Sequence, residues 1–176
     1  MKSVILTVVL VAATGIAAAP ATAQIIGTDA AACAPGGGPA ILANLTGLKD
    51  RKGSLKLELY PAAEDDFLKD DYELVAQGKV FRRVRAGTPA SGSVSVCIRV
   101  PHPGRYALLA THDRDGKNKF NFFSDGAGFP SNKKLGMSRP KLAEAVIDVG
   151  SGVTTTTIRM QYLRGVLSGF GPTKDG

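Results

Sequence analysis

Ser93-Val94-Ser95-Val96-Cys97-Ile98-Arg99-Val100 alternates polar and apolar side chains without a break. A period of two places alternate residues on opposite faces of a β-strand, so Val94, Val96, Ile98 and Val100 face a core and Cys97 faces outward. The same period recurs on both sides of this stretch. Upstream, Leu55, Leu57 and Leu59 alternate with Ser54, Lys56 and Glu58, and Pro61 ends the run because it lacks a ladder donor. Residues 40–46 form a further strand. In 79–86, Val80 and Val84 take one face and Phe81, Arg83 and Arg85 the other. Downstream, 104–113, 141–149 and the Thr-rich 153–163 complete the set. The acidic stretch 62–72 reads as a helical turn or crossover loop, and 114–139 as a long loop. Seven such segments, with no long amphipathic helix among them, predict an all-β fold: a seven-stranded antiparallel β-sandwich over residues 40–164.

The ends read differently. Residues 1–23 carry Lys2, an apolar run from Val4 to Ala13, and Ala21-Thr22-Ala23 before Gln24, the pattern of a signal peptide cleaved after Ala23. The run is too short for a membrane span of about 20 residues, and no second stretch is long enough, so no transmembrane span is expected. Residues 24–39 lack periodicity and hold Gly36-Gly37-Gly38, an extended N-terminal arm. Residues 165–176 contain four glycines and a proline, a flexible tail.

Export fixes the reading of the two cysteines. A lone pair in an oxidising compartment is expected as a disulfide, Cys33–Cys97, and is too few ligands for structural zinc. Closing a loop of about 65 residues stabilises the fold by roughly 4 kcal/mol in the chain-entropy account. Because Cys97 faces outward, the bridge is expected to pin the arm across the exterior of the sheet. A lipid anchor at Cys33 would need a Leu before it, and the chain has Ala30-Ala31-Ala32 there.

Charge and chemistry concentrate in one loop. The chain has 22 Lys and Arg against 15 Asp and Glu, for a net charge of +7, and only two His and no Trp, which leaves little for a multi-imidazole centre. Lys117, Lys119, Lys133 and Lys134 crowd the 112–139 segment, and with His112 and Phe129 they make the candidate ligand loop. Asp113 and Asp115 at i and i+2 beside Gly116, with Asn121 and Asp125 downstream, form the candidate metal set, since calcium takes six to eight oxygens. Lys117 stands where a third oxygen is expected, Asn118 where a calcium loop has Gly, and no Glu closes the loop. No cofactor is therefore expected, with a calcium-stabilised module as the alternative. His112 lacks a nucleophile signature nearby, so no catalytic residue is assigned and a hydrolase using His112 is a minor alternative. Export and the lack of an aromatic platform argue against nucleic acid.

Pro103-Gly104-Arg105-Tyr106-Ala107, then His112-Asp113-Arg114-Asp115-Gly116, then Gly128-Phe129-Pro130-Ser131-Asn132 resemble a bacterial family of exported proteins, catalogued as domain of unknown function 2141. Its pattern runs P-G-x-Y-A, H-D-x-N-x-N-G with a later Asp, and Gly-Phe-Ser-Asn. The likeness covers about residues 40–164, and it departs at Asp115, Lys117, Asn118 and Asn121, where the family has Asn, Asn, Gly and Asp. It implies an immunoglobulin-like or transthyretin-like sandwich outside the cytoplasm, with no established activity. The transthyretin-like hydroxyisourate hydrolases end in Tyr-Arg-Gly-Ser; here Tyr162-Leu163-Arg164-Gly165-Val166 has an extra residue and no Ser, so that activity is not expected. The expected role is an exported, periplasmic or secreted, non-catalytic binding module. Its expected partner is an anionic envelope component or another envelope protein, met by the 112–139 loop.

Overall fold

The computed structural model describes residues 24–165 and 167–173. The expected signal peptide lies outside them, as do position 166 and the last three residues of the expected tail. Two sheets face each other. The smaller joins β1 (Gln24–Ile26), β2 (Ala40–Thr46), β5 (Val94–Arg99) and β9 (Val153–Arg159) in the order β1-β5-β2-β9. The larger is antiparallel and centres on β3 (Ser54–Pro61), β4 (Arg82–Gly87) and β6 (Gly104–Asp113). It extends through β7 (Gly126–Gly128), β10 (Gln161–Leu163) and β11 (Phe170–Pro172), while β8 (Val146–Val149) pairs with the other part of β6.

The alternating runs bury the residues that their period predicts. Val94, Val96 and Ile98 from the smaller sheet meet Leu55, Leu57, Leu59 and Val84 from the larger. Truncating one such buried Leu to Ala costs about 2–5 kcal/mol, the transfer free energy plus the cavity left behind. The outward face of the larger sheet carries a second cluster, Tyr60, Phe67, Leu74, Ala107, Phe129 and Ala145, roofed by α1 (Asp71–Ala76) and α2 (Leu142–Ala145). Cys33 and Cys97 are bonded, and they pack with Ala32 and Ala40 on the outer face of the smaller sheet, where the alternation places Cys97.

Several expectations are corrected. Among the described residues there are eleven strands rather than seven: β1, β7 and β11 have three residues each, too few for a period to show, and β10 is separate from β9. The smaller sheet is mixed: β1 runs parallel to β5 and β2 parallel to β9. Strands far apart in sequence are free of the hairpin constraint that forces antiparallel pairing. The arm is not merely extended, since it supplies β1 and a 3-10 turn over Ala30–Cys33. The expected strand 141–149 opens as α2, with the Glu144 carboxylate accepting the Lys141 N–H, and only then extends as β8. The expected strand 153–163 breaks at buried Met160, where the chain passes from the smaller sheet to the larger. The expected tail contributes β11, whose Phe170 is buried. Among the described residues no helix is long and apolar enough to cross a membrane.

Candidate functional site

The hairpin register builds the acidic site. Strands β6 and β7 pair Ala110 with Gly128, Thr111 with Ala127 and His112 with Gly126. Continuing that ladder by one step brings Asp113 and Asp125 opposite each other at the mouth of the 114–125 loop. Both are buried, and Asp115 joins them so that one oxygen from each of the three carboxylates lies within 4.8 Å of the others.

Backbone amides of the loop turn inward to these carboxylates. Asp125 accepts the Arg114 N–H at 2.9 Å and the Asn121 N–H at 2.8 Å, and Asp113 Oδ2 accepts the Asn118 N–H at 3.0 Å. The Asn121 side-chain amide donates to Asp115 Oδ2 at 2.9 Å, and this bond above all holds the Asp115 carboxyl below the usual range. Thus three of the four expected metal ligands converge, and Asn121 stands beside them as a donor. Asn118 has φ +60°, a left-handed conformation that Asn tolerates better than most residues, so the turn survives without glycine there. Buried Lys56 stands over the cluster, with Nζ 3.7 Å from Asp113 Oδ2 and 3.3 Å from the Asn118 carbonyl. Asp113 Oδ1 has no hydrogen-bond partner among the described residues.

His112 lies one residue before the cluster and is fully buried. Its Nε2 is 2.7 Å from the Lys52 carbonyl, which can only accept, so Nε2 carries the proton. Nδ1 is then free to accept from the Tyr162 hydroxyl at 2.7 Å, and that hydroxyl accepts the Lys49 N–H at 3.1 Å. Burial favours the neutral ring and lowers the His112 pKa, while burial pushes Tyr162 up to about 12. Both ring nitrogens are spent within the fold.

The other loop residues divide. Lys117, Lys119, Lys133 and Lys134 are exposed. Phe129 is buried edge-on against Phe67, with ring centroids 6.0 Å apart, and belongs to the core beneath the loop. Phe120 and Phe123 remain exposed, and Phe120 and Phe122 pack on Phe170 of β11. Lys134 and Arg164 flank Gly171, so one of the loop lysines meets the end of β10.

Sequence reasoning missed two concavities. A groove of about 360 Å³ crosses the outer face of the larger sheet between Phe120 and Asp71, with Lys56, Glu58 and Thr111 on its floor. A wider cleft of about 870 Å³ opens at the end of β2, β5 and β10, with Lys49, Arg51 and Arg164 on its walls. The Gly47-Leu48-Lys49-Asp50-Arg51-Lys52-Gly53 stretch, charged and bounded by glycines, is the signal in the sequence that points to the second.

The family model described as "Uncharacterized protein conserved in bacteria (DUF2141)" matches residues 43–157, which include the acidic cluster and the strands that frame it. No curated protein and no solved structure matches the chain.

Proposed function

The chain belongs to this bacterial family, and from that premise we propose that it is an exported, non-catalytic envelope module whose 112–139 segment binds an anionic partner. The disulfide and the leader-like residues 1–23 support export, because a stable structural disulfide persists in oxidising compartments. Two facing sheets support an immunoglobulin-like or transthyretin-like scaffold that presents this segment at one end. The observation that carries the reading is the set of exposed loop lysines. Lys119, Lys133 and Lys134 are exposed, and among the described residues none has a carboxylate within 4.0 Å. Exposed Phe120 and Phe123 interrupt these cations with apolar surface, a combination suited to an interface bearing phosphate or carboxylate groups.

The test is sedimentation with vesicles, alongside retention on an acidic polysaccharide column, each repeated as salt is raised. Vesicles of phosphatidylglycerol should pull down the protein at low salt, and vesicles of phosphatidylcholine should not. Binding to the column but not to the vesicles identifies a polysaccharide. The triple variant Lys119→Glu, Lys133→Glu, Lys134→Glu should lose binding in whichever arm is positive. Equal binding to neutral and anionic vesicles, salt-insensitive retention, or no binding in either arm overturns the reading.

A further inference from the structure

We propose that Asp113, Asp115 and Asp125 bind a calcium ion that ties the 114–125 loop to the ends of β6 and β7. An acidic cluster alone is an ordinary surface feature; this one differs in two respects. Asp113 and Asp125 are 0% and 1% exposed, so two carboxylates are carried out of water at the end of one hairpin. Asp113 Oδ1 is buried with no partner among the described residues, although buried polar atoms in native folds are nearly always paired.

The local charge balance points the same way. Three carboxylates converge within 4.8 Å, and the buried cation facing them is the single ammonium of Lys56. Lys117 approaches Asp115 at 3.7 Å only from the exposed side, and the guanidinium of Arg114 is committed to Asp50. A divalent cation offsets the remaining repulsion and gives the orphaned oxygen a ligand. Hard carboxylate oxygens suit calcium. The strand register already holds Asp113 and Asp125 together, so little ordering opposes binding. The Asp113, Asp115, Asp125 set does not depend on a third oxygen at Lys117, because Asp125 enters from the far end of the loop, beside β7.

This inference is independent of anion binding, since it is read with calcium chloride alone. Isothermal calorimetry and thermal melts are run on the purified protein after chelator treatment. Calcium should bind once per chain, with a dissociation constant on the order of 10⁻⁴–10⁻³ M as in extracellular modules, and raise the Tm. Asp115→Asn, at the least buried of the three ligands, should keep the fold by circular dichroism and weaken calcium at least tenfold. Absence of both heat and Tm shift in the wild type at about 10 mM calcium overturns the proposal. So does undiminished binding in Asp115→Asn. If that variant does not fold, Asp125→Glu, which keeps the charge and moves the oxygens, should change the affinity; unchanged affinity there overturns the assignment of the site.

Discussion

The Tyr162 hydroxyl sits 2.7 Å from His112 Nδ1 and bridges β10 to the end of β6, 50 residues earlier in the chain. Because His112 donates from Nε2 to the Lys52 carbonyl, the bridge has one polarity: Lys49 N–H to Tyr162, Tyr162 O–H to His112, and His112 N–H to Lys52. The 49–52 turn, β6 and β10 are thereby fastened at one point beneath the acidic cluster.

Tyr162→Phe keeps the ring and removes the hydroxyl, leaving a buried imidazole nitrogen and the Lys49 amide without their partner. The expected loss is about 1–3 kcal/mol in urea unfolding, since an orphaned buried group keeps its full desolvation penalty. An unchanged midpoint would show that water replaces the hydroxyl at no net cost.

Gly126 explains why so unpatterned a stretch as Gly-Ala-Gly becomes a buried strand. A methyl group added at Gly126 would lie 2.7 Å from Tyr162 Cζ, and one at Gly128 would lie 2.8 Å from the Arg159 carbonyl. Gly126→Ala must therefore push the Tyr162 ring off His112. It should destabilise by about 1–3 kcal/mol, the usual cost of overpacking, and combining it with Tyr162→Phe should cost less than the sum of the two. Full additivity in the double-mutant cycle would mean that the ring does not move.

Reduction of the Cys33–Cys97 bridge tests the arm. The cysteines are 64 residues apart, and Cys97 is fully buried behind the 3-10 turn. Cys33→Ser should lower stability by roughly 2–4 kcal/mol through the freed chain entropy of the unfolded state. The loss should appear first as faster amide exchange along β1 and the outer edge of β5, which the arm covers. Uniform exchange across both sheets would instead place the arm within the global folding unit.

The parts of the fold that the sequence discloses are those with a period. Leu55-Leu57-Leu59 and Val94-Val96-Ile98 announce their buried faces, and the outward Cys97 follows from the same count. The parts it conceals are set by pairing at a distance. Nothing in Gln24–Ile26 or Phe170–Pro172 marks them as strands, because three residues gain their ladder bonds only once β5 and β10 are already in place. The acidic site is half disclosed. Asp113 and Asp115 stand out as an i, i+2 pair, whereas the convergence of Asp125 depends on the β6–β7 register, and the groove and the basic cleft depend on how whole elements meet.

Two carboxylates gripped by guanidinium groups contribute to the acid limit of stability. Hydrogen bonds from Arg114 hold the Asp50 carboxyl at about 2, and those from Arg82, whose Nε and Nη2 each lie 2.5 Å from Asp29, hold Asp29 below the usual range. In the unfolded chain both carboxyls take up protons as the pH falls past about 4, whereas the folded protein resists until the lowered values are reached. Their contribution is therefore fully present above about pH 4 and is lost as the pH drops toward about 2. Urea midpoints measured across that interval should decline with falling pH. Asp50→Asn should start lower at neutral pH and decline less steeply, because one of the proton-linked carboxyls is gone. A variant whose midpoint falls in parallel with the wild type would mean that the Arg114 pairing adds nothing to the acid response.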